Sequence, residues 1–116
     1  MVKIHHYTDV PAQPVEGSPG VTIRWVLGRN VGTPNFSTRV IEIEPGASTE
    51  RHGHPWEHEV FILEGQATVW HADGETLAGP GSCVYISPYE IHEFRNAGET
   101  LLRLICIVPN TMPRLG

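Results

Sequence analysis

Cysteine is nearly missing from this chain: 116 residues contain two, Cys83 and Cys106. That is too few for a disulfide framework and fits a reducing compartment. Positive charge is also scarce, with eight Lys and Arg against thirteen Asp and Glu and a net charge of −5 with neutral histidines. The eight are scattered and form no basic stripe, so a nucleic-acid partner is not expected. No apolar run approaches the roughly 20 residues that a membrane span needs. The opening Met1-Val2-Lys3-Ile4-His5-His6 has no apolar signal core, and a cytoplasmic location without membrane association is expected. Low-complexity tracts, internal repeats and any sustained 3.6-residue hydrophobic period are absent too. The length suits one domain with a single core.

What the chain does have is short alternating runs cut by breakers. Val21–Leu27, Phe36–Ile43, His58–Leu63, Ala67–His71, Cys83–Ile86, Ile91–Asn96 and Leu101–Val108 read as strands. The breaks include Pro45-Gly46, Asp73-Gly74, Gly79-Pro80-Gly81 and Ser87-Pro88, and Asp-Gly between strand-like runs signals a hairpin. A strand every 8–12 residues is the spacing of a sandwich or barrel. The fold class is therefore all-β, with residues 21–116 as one β-barrel domain. Residues 1–20 carry Pro11, Pro14, Gly17, Pro19 and Gly20 and read as an extended arm, not a helix. An open barrel edge invites pairing, so an arm such as Ile4–Val10 is expected to cross a two-fold interface in a homodimer.

The most informative residues are four histidines. His52, His54 and His58 crowd into Arg51-His52-Gly53-His54-Pro55-Trp56-Glu57-His58, and His92 follows in Ile91-His92-Glu93-Phe94. Imidazole is the commonest transition-metal ligand, and the His-x-His spacing puts two rings on one face of a strand. His5, His6 and His71 lack partners at ligand spacing. Strand parity gives the surroundings. Glu42 and Glu44 belong outside, so Ile41, Ile43 and, by the same parity, Arg39 face inward. Arg103 belongs outside, which turns Leu104 and Cys106 inward, and Phe94 shares the face of His92. An apolar pocket with one polar cluster is the make-up of a small-molecule site.

Gly46, His52, His54, His58 and Gly65, followed by Gly81, Pro88, His92 and Asn96, resemble the two motifs of the cupin family. The stretch Arg51-His52-Gly53-His54-Pro55-Trp56-Glu57-His58-Glu59 resembles most the small single-domain manganese cupins whose ion is held by four histidines. The resemblance implies a jelly-roll (double-stranded β-helix) barrel, usually dimeric, with the metal inside its mouth. Cupins commonly carry Glu where this chain has His58. Glu59 offers that carboxylate under a looser spacing, but only His58 keeps both the gap from His54 and the run to Gly65. Glu90 replaces a usual glycine, and a changed local turn is expected there. Gly65, Gly81 and Pro88 are assigned to backbone geometry.

The metal ligands expected are thus His52, His54, His58 and His92. The pocket-lining candidates are Arg39, Trp56, Phe94, Leu104 and Cys106. Each has a plain alternative: Trp56 packs at its loop, Phe94 belongs to the core, Cys106 is inert packing, and Arg39 pairs with a buried glutamate. The resemblance implies Mn²⁺, with Fe²⁺ next, while raw affinity favours Cu²⁺, Ni²⁺ and Zn²⁺. Four neutral donors leave a divalent ion its charge and, on an octahedral ion, two open positions. With no general base evident beside them, a small oxidoreductase of dioxygenase type acting on a small molecule is expected. The other expectations are a Lewis-acid isomerase, cyclase or decarboxylase, and a ligand-binding barrel without turnover. Metal occupancy is expected to fall between about pH 6.5 and 5 as the imidazoles protonate.

Overall fold

Apolar residues at every second position fold into strands, and the breakers end them. In the computed structural model, which describes residues 1–110, the strands are β1 (Gln13–Pro14), β2 (Val21–Leu27), β3 (Phe36–Ile43), β4 (His58–Glu64), β5 (Ala67–His71), β6 (Gly74–Ala78), β7 (Cys83–Ile86), β8 (Glu93–Asn96) and β9 (Leu102–Pro109). β2, β3, β5 and β7 have the bounds that alternation predicts. β6 exceeds the expectation. Four of its five residues are exposed, so it carries no inward pattern, and only the Asp73-Gly74 turn announces it. The expected strand from Ile91 is shortened at its start, because His92 bridges to His52 instead of joining the β8 ladder.

All strand pairs are antiparallel and form a six-stranded sheet, β1-β2-β3-β9-β4-β7, facing a three-stranded one, β6-β5-β8. Ile43, Ile62, Leu102, Leu104 and Val108 are fully buried, in a core to which both sheets contribute. Register sorts the inner face of the larger sheet into rows. Val21, Ile43 and Leu102 form one, and Ile23, Ile41, Leu104 and Ile62 the next. Trp25, Arg39, Cys106, Val60 and Val84 make a third, beyond which His58 pairs with Ile86. Polarity therefore rises toward one end of the barrel, where the histidines lie. At the other end, buried Asn96 donates to the carbonyls of Ile43 and Thr100, both at 2.8 Å, and accepts from Gly98 N–H at 2.9 Å.

The first twenty residues lie along their own chain. β1 pairs with β2, Arg24 donates to the Val10 carbonyl at 2.7 Å, and Lys3 donates to the Val31 carbonyl at 2.8 Å. A 3₁₀ turn at Tyr7–Asp9, capped by His6, interrupts the extended course. The Tyr7 ring faces Arg24 and Arg103, which flank Glu42 on the outer face. No helix among the described residues is long and apolar enough to cross a membrane.

Candidate metal centre

The histidines come from three places that the backbone ties together. His52 and His54 lie in the loop between β3 and β4, His58 opens β4, and His92 precedes β8. His52 and His92 exchange backbone hydrogen bonds of 3.2 and 3.0 Å, and Tyr89 N–H donates to the His54 carbonyl at 2.6 Å. Gly53 permits this close approach. A Cβ there would stand 2.8 Å from Ile91 Cδ1 and 2.9 Å from the Tyr89 carbonyl oxygen. The turn that carries His92 puts Tyr89 at φ 67°, a strained value for a non-glycine residue. The expected change at Glu90 thus falls one residue earlier. Glu90 itself accepts from Ser87 N–H at 3.2 Å and from its hydroxyl at 2.9 Å, and these bonds hold its carboxyl below the ordinary range.

Three of the rings group together, and the fourth, His58, lies beside them. Ring centroids are 5.0 Å apart for His52 and His92, 5.2 Å for His52 and His54, 5.1 Å for His54 and His92, 4.4 Å for His54 and His58, and 5.4 Å for His58 and His92. One nitrogen from each of His52, His54 and His92 lies within 4.8 Å of the others, a group able to hold a metal ion. His58 adds Nε2 at 2.7 Å from His54 Nε2. Two nitrogens at right angles around an ion at about 2.1 Å stand about 3.0 Å apart, so this pair needs to open by only a few tenths of an ångström. Behind the rings, His54 Nδ1 donates to the Trp56 carbonyl and His92 Nδ1 to the Glu90 carbonyl, both at 2.8 Å. Such acceptors fix ring orientation and leave Nε2 free to bind. Glu59 is exposed on the opposite face of β4, beside Phe61, Tyr85 and Ile107, and brings no carboxylate to the rings.

Burial works against protonation of all four imidazoles. It lowers the pKa of His52, His54 and His92, and Glu50 pulls His52 the other way. His58 is pushed down to about 2 by burial and then by the Arg39 guanidinium. Acid therefore competes for these nitrogens below the ordinary imidazole value, which extends the expected range of occupancy to lower pH.

The rings open onto a cavity of about 480 Å³. Arg39, Trp56, Phe94, Leu104 and Cys106 all line it. Trp56 stacks on His54 at 4.4 Å with the planes 4° apart. Phe94 is both core and wall, buried and edge-on to His92 at 6.5 Å. Cys106 is buried, which raises its thiol pKa. Arg39 donates from Nη2 to Cys106 Sγ at 2.8 Å and to His58 Nδ1 at 3.2 Å, and lies 5.2 Å from the Trp25 ring centre. Its alternative, an ion pair with a buried glutamate, is not found among the described residues.

Three contributors lie outside the expected set. Trp25 is a wall residue that Arg24 could have revealed, since an outward Arg24 turns Ile23 and Trp25 inward. Glu50 stands at the rim, where its backbone N–H donates to Ser18 Oγ at 2.9 Å. A loop carboxylate held by a distant serine leaves no periodic trace. Gln13, Pro14, Val15 and Glu16 form the third, because β1 brings the arm to the cavity.

Comparison with known proteins agrees with this arrangement. Residues 39–108 match the family described as Cupin domain. The polyketide cyclase RemF from Streptomyces resistomycificus is similar at 31% identity over 98% of this chain and 83% of its own, with a TM-score of 0.90. A cupin 2 domain-containing protein from Halorhodospira halophila is 33% identical over 85% of this chain and 72% of its own, with a TM-score of 0.77. A predicted oxalate decarboxylase from Thermotoga maritima shares the fold at 18% identity, covering 92% of this chain and 98% of its own with a TM-score of 0.80. No curated protein sequence matches the chain. Two histidine motifs on one antiparallel barrel, a matching family over most of the strands and close structural relatives carry the assignment: the chain belongs to the cupin family.

Proposed function

We propose that this chain is a metal-dependent, non-redox enzyme of cyclase type, acting on a small carbonyl compound with a largely apolar body. The observation that carries this reading is the grouping of His52, His54 and His92, with His58 against His54 and no carboxylate among them, at an apolar cavity of about 480 Å³. His52, His54, His58 and His92 are the proposed ligands, and Mn²⁺, with Fe²⁺ second, is the proposed ion. A bound divalent ion supplies a Lewis acid that polarises a carbonyl oxygen. Trp25, Trp56 and Phe94 pack against the substrate body and keep water from it. Glu50 takes a proton from the carbon next to the carbonyl, and Arg39 adds a positive charge beside the developing oxyanion.

The dioxygenase expectation rests on the lack of a protein base, and Glu50 at the rim weakens that premise. The similarity to a named polyketide cyclase at 31% identity also favours condensation over oxidation. The test is a metal-loaded sample incubated with a poly-β-ketone, with and without dioxygen. Ring closure with loss of water, equal in both atmospheres and reduced in Glu50→Gln, is the expected result. Oxygen uptake with a product heavier by oxygen atoms would instead establish the oxidoreductase. Binding of the poly-β-ketone without turnover would leave a ligand-binding barrel.

A further inference from the structure

Two guanidinium groups bury Nε without a hydrogen-bond partner, those of Arg24 and Arg39. Arg24 lies on the outer face of the larger sheet, where Glu42 stands 3.7 Å from Nε and answers its charge. Arg39 has no such counterpart. No carboxylate among the described residues pairs with it, and the two carboxylates of the cavity lining, Glu16 and Glu50, are exposed. Its central carbon lies 5.2 Å from the Trp25 ring centre, and Nη2 meets Cys106 Sγ at 2.8 Å and His58 Nδ1 at 3.2 Å. An indole face attracts a cation without cancelling its charge, whereas a charge drawn out of water is as a rule paired. The fork also has one free corner. Nε is shut in and Nη2 is engaged, while Nη1 bonds to no described residue, escapes that burial and so faces the cavity that Arg39 lines.

We infer that the cavity takes a carboxylic acid, whose carboxylate docks on Arg39 Nη1 and whose apolar body lies against Trp25, Trp56 and Phe94. The inference rests on the cyclase reading above for the carbonyl that reacts, and narrows its substrate to a keto acid. A carboxylate oxygen accepts the N–H groups of Nη1 in a charge-assisted bond and supplies the charge that the protein does not. Among the described residues Arg39 is the sole Lys or Arg of the lining. One guanidinium suits one negative charge, whereas a phosphate monoester carries up to two and would be left half paired. An ester or amide with the same body would leave Nη1 and its charge unanswered, so the site selects the acid. The two tasks of Arg39 fall on different atoms: Nη1 takes the acid, and Nη2 stays at the Cys106 sulfur on the histidine side.

The test is calorimetric titration of the full chain, metal-free and Zn²⁺-loaded, with phenylacetate and its neutral counterpart phenylacetamide. The acid should bind the metal-free protein more tightly than the amide by roughly 10–100-fold, the worth of a hydrogen bond to a charged group. Arg39→Met should abolish that preference. Should this variant fail to fold, the ¹⁵N resonances of the Arg39 guanidinium in the wild type decide, moving with phenylacetate and staying with phenylacetamide. Equal binding of acid and amide, no measurable binding of either, or a preference that Arg39→Met retains would overturn the inference. So would a preference confined to the Zn²⁺-loaded protein, since the carboxylate then sits on the ion. The two readings fail separately. Ring closure of the poly-β-ketone by a protein without acid preference would remove this inference alone. An acid preference in a protein that closes no ring would keep the carboxylate site and remove the cyclase.

Discussion

Replacing Gly53 with alanine should damage metal binding more than folding. The added Cβ would stand 2.8 Å from Ile91 Cδ1, 2.9 Å from the Tyr89 carbonyl oxygen and 3.4 Å from that of Glu90. Ile91 can rotate, but two of the three neighbours are backbone, so the loop of His52 and His54 has to back away from the turn that carries His92. The displacement strains the Tyr89–His54 hydrogen bond and the two between His52 and His92. Overpacking of this kind costs about 1–3 kcal/mol, or a fall of roughly 4–12 °C in melting temperature for a domain of this size. Metal affinity depends on ring positions to a fraction of an ångström, and a loss of more than tenfold is expected. Calorimetric titration with Mn²⁺ and Zn²⁺, beside thermal melts of the metal-free protein, measures both quantities. A variant that melts lower yet binds metal with unchanged affinity would refute the claim that this glycine sets the distance between the two histidine loops.

Acid should destabilise the metal-free protein. The site histidines have folded-state pKa values below the unfolded 6.5, so the unfolded chain binds more protons below that pH. Stability is then complete above about pH 6.5 and declines beneath it; urea midpoints that do not fall between pH 7.5 and 5 would contradict this. Asn96→Ala should cost about 1–3 kcal/mol in chemical denaturation by stranding the Ile43 and Thr100 carbonyls, and a loss within error would show that water replaces the side chain. Light scattering should give the mass of two chains, since Phe61 and Tyr85 expose apolar surface on the outer face of β4 and β7; a single-chain mass at micromolar concentration would exclude the dimer.

The strands and the pocket walls were legible because both obey period 2, whereas His52, His54 and His92 lie outside the strands, so their motif spacing and not strand alternation marked them. Arg39 could be turned inward because it shares parity with Ile41 and Ile43, and Cys106 because it shares parity with Leu104. His58 was separable from Glu59 by its gap from His54 and its run to Gly65, and on β4 the two face opposite ways. Periodicity fails where loops or exposed edges decide. β6 has no buried stripe, Glu50 is positioned by Ser18 from 32 residues away, and the strain of the His92 turn falls on Tyr89, not on Glu90. The His58–Cys106–Arg39 contact lay beyond reach because it depends on three strands meeting in one register.

The cavity wall supplied by residues 13–16 has a consequence for how this barrel can diversify. That ribbon hangs on two residue pairings with β2, Gln13 with Ile23 and Pro14 with Thr22, and on the Val15 N–H to the Val21 carbonyl. None of the four imidazoles belongs to it. The imidazole cluster and this part of the cavity wall are thus housed in separable pieces. Exchanging a short leading ribbon could retailor what enters while the imidazole cradle stays untouched.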